Sequence, residues 1–318
     1  MSKDVCSLFG LMGDPKHKSS PLLVSDTKLG VEIELEGFRN GAPDVDQNFW
    51  EVKSDGSLRD NGLEFIFRQP IMGADVISAL KDFAENIGKP KVSSRCSVHV
   101  HVDFRDANFN QILNFLMVYL VFERSLIKYH GDAREDNIFC LPFYRAEVAL
   151  MNVIKAIHKD EGSIAKSFNG QEERYNALNV KSLPRFGSIE ARHMPGSYDT
   201  KKILEWINIL LSMKKFAMSS EELINIPAIF SGLGPEHFTH EVFGEYSKAI
   251  LYPNMDMDMY NGVRLAQDVY FSNDAISTSE FLEEFNDGVV ISNLYANVYQ
   301  NVHGKKLEIE EQIISDEE

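Results

Sequence analysis

Two histidines lie two residues apart in the segment SVHVHVDF, residues 97 to 104. Strict alternation with valine predicts a β-strand that carries His99, His101 and Asp103 on one face. Side chains two positions apart on a strand are separated by about 6 to 7 Å. That distance is too long for both histidines to grip one metal ion, but it lets one bind a metal while the next reaches a neighbouring ligand. A solvent-facing strand that happens to hold two histidines is the competing interpretation.

Glutamates follow the same two-residue period in the segment GVEIELEG, residues 30 to 37. Glu32, Glu34 and Glu36 alternate with apolar residues, which predicts a half-buried strand with carboxylates on its polar face. The pattern is weak by itself, because the acidic segment KLEIEE at residues 306 to 311 has almost the same spelling. We interpret Glu36 as the solvent-exposed end of the strand.

Two further segments add charged residues to predicted strand faces. LEFIFRQP sets Glu64 apart from its apolar neighbours, and FGSIEARH places Glu190 and Arg192 on one face. Carboxylates combined with imidazole suit hard divalent cations such as Mg²⁺ or Mn²⁺. An arginine on the same face suits phosphate, which its guanidinium can bind through two hydrogen bonds. Metal ligands and a phosphate-binding arginine together suggest ATP.

A sheet has to position these side chains, and the periodicity predicts one. Strands are predicted at residues 28–37, 49–58, 63–70, 97–104, 175–180 and 186–193, with a turn at Asp55-Gly56 in the second. Helices are predicted at 74–87, 110–129, 145–158 and 199–217, the last with Asp199 as its N-cap. The order of elements predicts an α+β protein, an antiparallel-rich sheet with helices on one face. The other face stays open, and a site is expected there.

The rest of the chain carries less chemical information. Residues 1–26 are polar and are interpreted as a flexible N-terminal arm, followed by a core at 27–218. Residues 219–318 form a mostly helical C-terminal region with an acidic tail, including a helix at 287–303. We interpret the acidic pair Asp256 and Asp258 as part of a loop, because it lacks the glycine and terminal glutamate of a calcium-binding EF-hand.

Charge and cysteine content exclude several protein classes. The net charge of −16 argues against general nucleic-acid binding, which usually needs a basic surface. Three widely spaced cysteines form no disulfide framework, so a reducing, cytoplasmic compartment is expected. Neither a signal peptide nor a membrane-spanning apolar run is recognisable.

The ordered set GVEIELEG, SDGSL…LEFIFRQP, CSVHVHVD, RYNALNV and GSIEARH resembles the amidoligase family, carboxylate–amine ligases related to glutamine synthetase and glutamate–cysteine ligase. The resemblance spans about residues 28 to 195, and the set in this order is more specific than any single motif. It implies a glutamine synthetase-like catalytic core at 27–218 and binding of ATP with Mg²⁺ or Mn²⁺. The metal ligands that it implies are Glu32, Glu34, Glu64, His99 and Glu190.

The same resemblance implies roles for other residues. His101 would approach the ATP phosphates, and Arg192 would bind phosphate during catalysis. Asp55 is our candidate for the base that accepts a proton from the amine. Substrate contacts are expected from Arg145, Arg174 and Asn179. The sequence departs from the family pattern at Cys96-Ser97-Val98, where relatives usually have a glycine before the two histidines.

The implied reaction joins a small-molecule or peptide carboxylate to an amine through an acyl phosphate, at the expense of ATP. No glutaminase domain is recognisable, so an ammonia-supplying glutaminase would be a separate partner. Relatives of glutamine synthetase often assemble, which makes a homo-oligomer an expected form. Family members tend to occur in phages and other mobile elements, which suggests a similar setting. The identities of the acid and the amine stay open.

Two other functions compete with the ligase. A metal-dependent phosphohydrolase would also need metal ligands on strands, but it would release phosphate without an amine. A catalytically degenerate family member with a structural role in assembly would keep the fold and lose nucleotide binding. The sequence disfavours the degenerate role, because the charged residues of all four strand motifs are present. Amine-dependent phosphate release would separate the ligase from the hydrolase.

Overall fold

The structure, a computed structural model, describes residues 4–6, 10–12, 19–131, 140, 142 and 176–273. It is an α+β protein with one six-stranded antiparallel sheet, as the sequence predicts. The strands are β1 (Leu29–Leu35), β2 (Trp50–Ser54), β3 (Leu63–Phe67), β4 (Ser97–Asp103), β5 (Leu178–Asn179) and β6 (Ser188–Pro195), in the spatial order β2-β3-β1-β4-β6-β5.

Helices described in these ranges are α1 (Ala74–Asn86), α2 (Phe109–His130), α3 (Ser182–Phe186), α4 (Thr200–Ala217), α5 (Ile226–Phe243), α6 (Ser247–Ile250) and α7 (Met255–Asn273). A single turn of 3₁₀-helix, Gly244–Tyr246, precedes α6. Among the described residues, no helix combines the length and the apolar character that a membrane span requires. The predicted helices at 145–158 and 287–303 lie outside the described residues.

Alternation along the strands separates an apolar face from a polar one. On β1, Leu29, Val31, Ile33 and Leu35 are buried at 1% exposure or less. They join one hydrophobic core with residues of α1, α2 and α4, and the same core extends into α5 and α7. Burial of this continuous apolar surface holds the helices against one side of the sheet.

Two of the main helices begin at residues whose side chains satisfy free backbone N–H groups. Asn108 and Gln111 form a reciprocal capping box at the start of α2. Asp199 caps α4 by accepting from the backbone of Lys201 and Lys202, as predicted. Helix α2 is buried almost all round, because it lies between the sheet and α7.

The strand register places the predicted site residues on one face. Glu32 of β1 lies opposite His99 of β4, and His101 lies opposite Glu190 of β6. Glu34 of β1 lies opposite Glu64 of β3. Antiparallel neighbours in register point to the same side of a sheet, so these side chains share the face that the helices leave open.

The pairing of β4 with β6 is interrupted by a bulge. Val98 pairs with Met194 and Val100 with Ala191, so β6 has one extra residue at this point. Arg192 remains on the polar face, where it contacts Glu190. His193 instead packs in the core, where its Nε2 lies 2.7 Å from the Tyr119 hydroxyl.

Two sequence interpretations are wrong in the structure. Asp256 and Asp258 belong to the first turn of α7, not to a loop. Asp258 pairs with Arg124 at 3.1 Å and with Lys128 at 2.6 Å, and these contacts tie α7 to α2. Glu36 is buried at 6% exposure rather than solvated, and its Oε1 accepts a 2.8 Å hydrogen bond from the backbone N–H of Arg59.

Candidate functional site

One group of potential cation ligands joins three neighbouring strands. Glu32 of β1, His101 of β4 and Glu190 of β6 each offer an atom, and these atoms lie within 4.8 Å of one another. His101 Nε2 is 3.5 Å from Glu32 Oε1, and its Nδ1 is 3.2 Å from the Ser188 hydroxyl. We name this set the first group. Two carboxylates and an imidazole form a donor set that fits Mg²⁺ or Mn²⁺.

The electrostatics of the first group keep its carboxylates ionised. Burial opposes the ionisation of Glu32, but hydrogen bonds and positive charge from His101 and His99 outweigh it, so the pKa of Glu32 is lowered. Burial likewise opposes the ionisation of Glu190, yet His99, Arg192 and His101 lower its pKa. For His101, burial works against protonation, but its hydrogen bond to Glu32 and the charge of Glu190 raise its pKa.

A second group of ligands lies beside the first on the same sheet face. Glu34 of β1, Glu64 of β3 and Asp55 in the turn after β2 bring carboxylate oxygens within 4.8 Å of one another. Burial and the negative charges of Glu32, Glu34 and Asp55 raise the pKa of Glu64 to about 7. Three crowded carboxylates with little positive charge among them form an environment that a divalent cation would neutralise.

His99 lies between the two groups and is 4% exposed. Its Nδ1 is 3.2 Å from Glu32 Oε2 and 3.4 Å from Glu190 Oε1, both in the first group. Its Nε2 is 2.8 Å from the hydroxyl of Ser97, and that hydroxyl donates to Glu34 of the second group. His99 therefore contacts the first group directly and the second through Ser97.

Glu190 is oriented by two neighbours that the sequence singled out. Arg192 donates to its Oε1 at 2.5 Å, and Asn179 of β5 donates to its Oε2 at 2.6 Å. The Oδ1 of Asn179 accepts from the backbone N–H of Lys181. Asn179 is thus placed behind a carboxylate as an orienting residue, and its contact with a substrate stays a prediction.

The structure brings together eight of the predicted site residues, together with Asn179 at the rim of the face. The eight are Glu32, Glu34, Asp55, Glu64, His99, His101, Glu190 and Arg192. Asp55 lies among the carboxylates of the second group, and its role as the base stays a prediction. Arg145 and Arg174, the other predicted substrate contacts, lie outside the described residues.

Two cavities open beside the groups. A cavity of about 240 Å³ adjoins Glu32 and His101, and its other walls include Lys28, Arg68 and Phe186. A cavity of about 470 Å³ adjoins Asp55 and is bounded by the 58–63 loop. Arg59 lines this second cavity, and within the described ranges its guanidinium has no hydrogen-bond or ion-pair partner.

Sequence reasoning missed the serines of the site. Ser97 stands two residues before His99, and Ser188 stands two residues before Glu190, each on the polar face of its strand. Extending the same two-residue period by one step would have found both. The cationic walls and Phe186 carry no comparable periodic signal, because they come from strand ends, a loop and the short helix α3.

A comparison with protein-family models relates the chain to one family. Residues 70–213 match a model described as "Putative amidoligase enzyme". This range contains β4 and β6, which carry His99, His101, Glu190 and Arg192, but it begins after β1 and β3. No curated protein matches the chain. The match covers β4 to β6 and supports the resemblance to the amidoligase family that the ordered motifs predict.

Proposed function

We propose that this protein is an ATP-dependent carboxylate–amine ligase that acts through an acyl-phosphate intermediate. One observation carries the proposal: two groups of potential cation ligands lie side by side on the open face of the sheet and share strand β1 through Glu32 and Glu34. Paired cation sites are a recurring arrangement for phosphoryl transfer. The open antiparallel sheet, with this constellation on it, supports a glutamine synthetase-like core.

The chemistry is a balanced two-step exchange. A substrate carboxylate oxygen attacks the γ-phosphorus of ATP, and ADP leaves with the electrons of the broken P–O bond. An amine nitrogen then attacks the acyl carbon of the acyl phosphate, inorganic phosphate leaves, and the amine gives up a proton. Bound Mg²⁺ or Mn²⁺ supplies neutralisation of the phosphate charge.

The residues of this chain would mainly position the reactants and balance charge. Glu32, Glu190 and the two histidines would hold the cation nearest the phosphates, whereas Glu34, Asp55 and Glu64 would hold the other. Arg192 pairs with Glu190 at 2.5 Å and would turn part of its guanidinium to a transferred phosphoryl group. Preorganised charges of this kind stabilise a transition state without reorganisation during the reaction.

The two cavities suggest where each substrate enters. The smaller cavity combines Lys28 and Arg68 with the exposed ring of Phe186, next to the first group, and would suit the base and sugar of a nucleotide. The larger cavity meets the second group at Asp55 and contains the cation of Arg59, which would suit an anionic part of the acid substrate. The reacting atoms would then meet between the two groups.

The test is trapping of the activated acid. Hydroxylamine in place of the natural amine converts an acyl phosphate into a hydroxamate, which iron(III) reveals by colour. We expect ATP- and Mg²⁺-dependent hydroxamate from at least one member of a panel of amino acids, dicarboxylates and short peptides. Glu190→Gln should abolish the signal, whereas Glu236→Gln on the exposed side of α5 should keep it.

The same assay separates the ligase from a metal-dependent phosphohydrolase. A ligase releases phosphate in proportion to the amide or hydroxamate that it forms. Phosphate release that depends on neither the acid nor the amine would favour the hydrolase. A folded protein that neither binds ATP nor releases phosphate would favour a structural role.

A further inference from the structure

Ser97 hydrogen-bonds both to Glu34, a ligand of the second group, and to His99, which contacts Glu32 of the first group directly. It begins β4 and continues the register in which Glu32 faces His99, so it lies across from Glu34. The side chain is buried at 6% exposure. Neither the family resemblance nor the proposed chemistry gives it a role.

The hydrogen-bond directions follow from the single proton of a hydroxyl. Ser97 Oγ donates that proton to Glu34 Oε2. Its contact with His99 Nε2 at 2.8 Å must then run in the opposite direction, with the ring N–H donating to the serine oxygen. In a neutral ring the proton is therefore on Nε2, and Nδ1 keeps a free electron pair.

The position of this proton on His99 determines which ring nitrogen can bind a cation in the first group. His99 Nδ1 lies 3.2 Å from Glu32 Oε2, 3.4 Å from Glu190 Oε1 and 3.5 Å from the Arg192 guanidinium. A cation bound among the two carboxylates would be within reach of the Nδ1 lone pair as well. With Nε2 protonated, His99 is set to become a further ligand of the cation that Glu32 and Glu190 would hold.

We propose that Ser97 is a positioning residue that couples the two cation sites. By donating to Glu34 and accepting from His99, it fixes the ring orientation and the tautomer that direct Nδ1 into the first site. This inference rests on the proposed function, since it presumes that both groups hold divalent cations. Hydrogen-bond partners of ligating histidines commonly act in this way, and their loss typically weakens metal affinity by about 10- to 100-fold.

The first test measures Mn²⁺ binding by calorimetry. Ser97→Ala removes the hydroxyl at nearly constant volume and should weaken binding at the tighter site by about 10- to 100-fold. Ser97→Thr keeps the hydroxyl and should bind within about threefold of wild type. Ser212→Ala removes a buried serine hydroxyl of α4 that bonds to the backbone of Asn208. It should leave Mn²⁺ affinity unchanged, and it reports how much the loss of a buried hydroxyl costs in folding stability.

The second test observes the tautomer, which a merely structural serine would not control. Nitrogen-15 spectra of the Mg²⁺-loaded protein should show His99 protonated on Nε2 in wild type and in Ser97→Thr. Ser97→Ala should raise the share of the Nδ1-protonated ring. A wild-type ring protonated on Nδ1, or Ser97→Ala binding Mn²⁺ as tightly as wild type, would overturn the coupling role. Wild-type protein that binds no divalent cation would instead overturn the proposed function.

Discussion

The crowded second group makes a specific prediction about pH and stability. Burial and the charges of Glu32, Glu34 and Asp55 raise the pKa of Glu64 from 4.5 to about 7. A carboxyl whose pKa is raised on folding favours the folded state only in its protonated form. Its ionisation therefore destabilises the protein progressively as the pH rises from about 4.5 to about 7, and the effect is complete above that range.

The size of the effect follows from the shift. A rise from 4.5 to about 7 corresponds to about 3.4 kcal/mol at full strength. Glu64 is half-buried, and solvent screening reduces the figure to on the order of 1 to 2 kcal/mol. Glu64→Gln removes the charge, so we expect the variant to be more stable than wild type by that amount at pH 8 in EDTA. At pH 4.5 the difference in free energy of unfolding between the variant and wild type should fall to about a few tenths of a kcal/mol.

Urea unfolding at the two pH values measures this difference. Glu236→Gln, an exposed change on α5, controls for the loss of one negative charge. Saturating Mg²⁺ should make wild type more stable than Glu64→Gln. The Glu64 carboxylate then binds the cation and stabilises the folded state, and the glutamine variant loses this ligand. A Glu64→Gln protein that is less stable than wild type at pH 8 in EDTA would refute the electrostatic account of the second group.

Two further predictions concern the cavity beside Asp55 and the helical layer. Arg59→Gln should raise the KM for the acid substrate about tenfold, equivalent to about 1.4 kcal/mol of binding, with little change in kcat. Steady-state kinetics would check this, with Arg264→Gln, an exposed change on α7, as the control. An unchanged KM would exclude Arg59 from substrate binding. Asp258→Asn should lower the free energy of unfolding by about 1 to 2 kcal/mol, because Arg124, Lys128 and the Tyr252 hydroxyl lose their shared partner. Asp256→Asn, two residues earlier, is its control in urea unfolding, and equal stability of the two variants would show that the contacts contribute nothing.

The sheet could be predicted from the sequence because its burial is one-sided. Alternation alone located β1 and β4, since every second residue of each must enter the same apolar core. The register between strands was not predictable, because it depends on pairing across long stretches of chain. That register is what brings Glu32 opposite His99 and Glu34 opposite Glu64.

Local sequence failed where a distant partner decides the outcome. Asp258 looked like part of a polar loop, yet contacts with α2 hold it in a helix. Glu36 looked like a solvated strand end, yet it is buried and its carboxylate accepts a hydrogen bond from the backbone N–H of Arg59. Asp55 was singled out in its turn from the sequence, but its closeness to the carboxylates of Glu34 and Glu64 is seen only in the fold. In each case the deciding contact comes from a part of the chain that no local pattern specifies.

Calorimetric titration with ATP in the presence of Mg²⁺ tests the central claim most directly. We expect wild type to bind ATP only when Mg²⁺ is present, and the double variant Glu32→Ala, Glu34→Ala to lose that binding while staying folded. The matched control is Glu308→Ala, Glu310→Ala in the KLEIEE segment, which makes the same two changes in nearly the same local sequence. Binding that survives in the first double variant, or folded wild type that binds no ATP, would contradict the account.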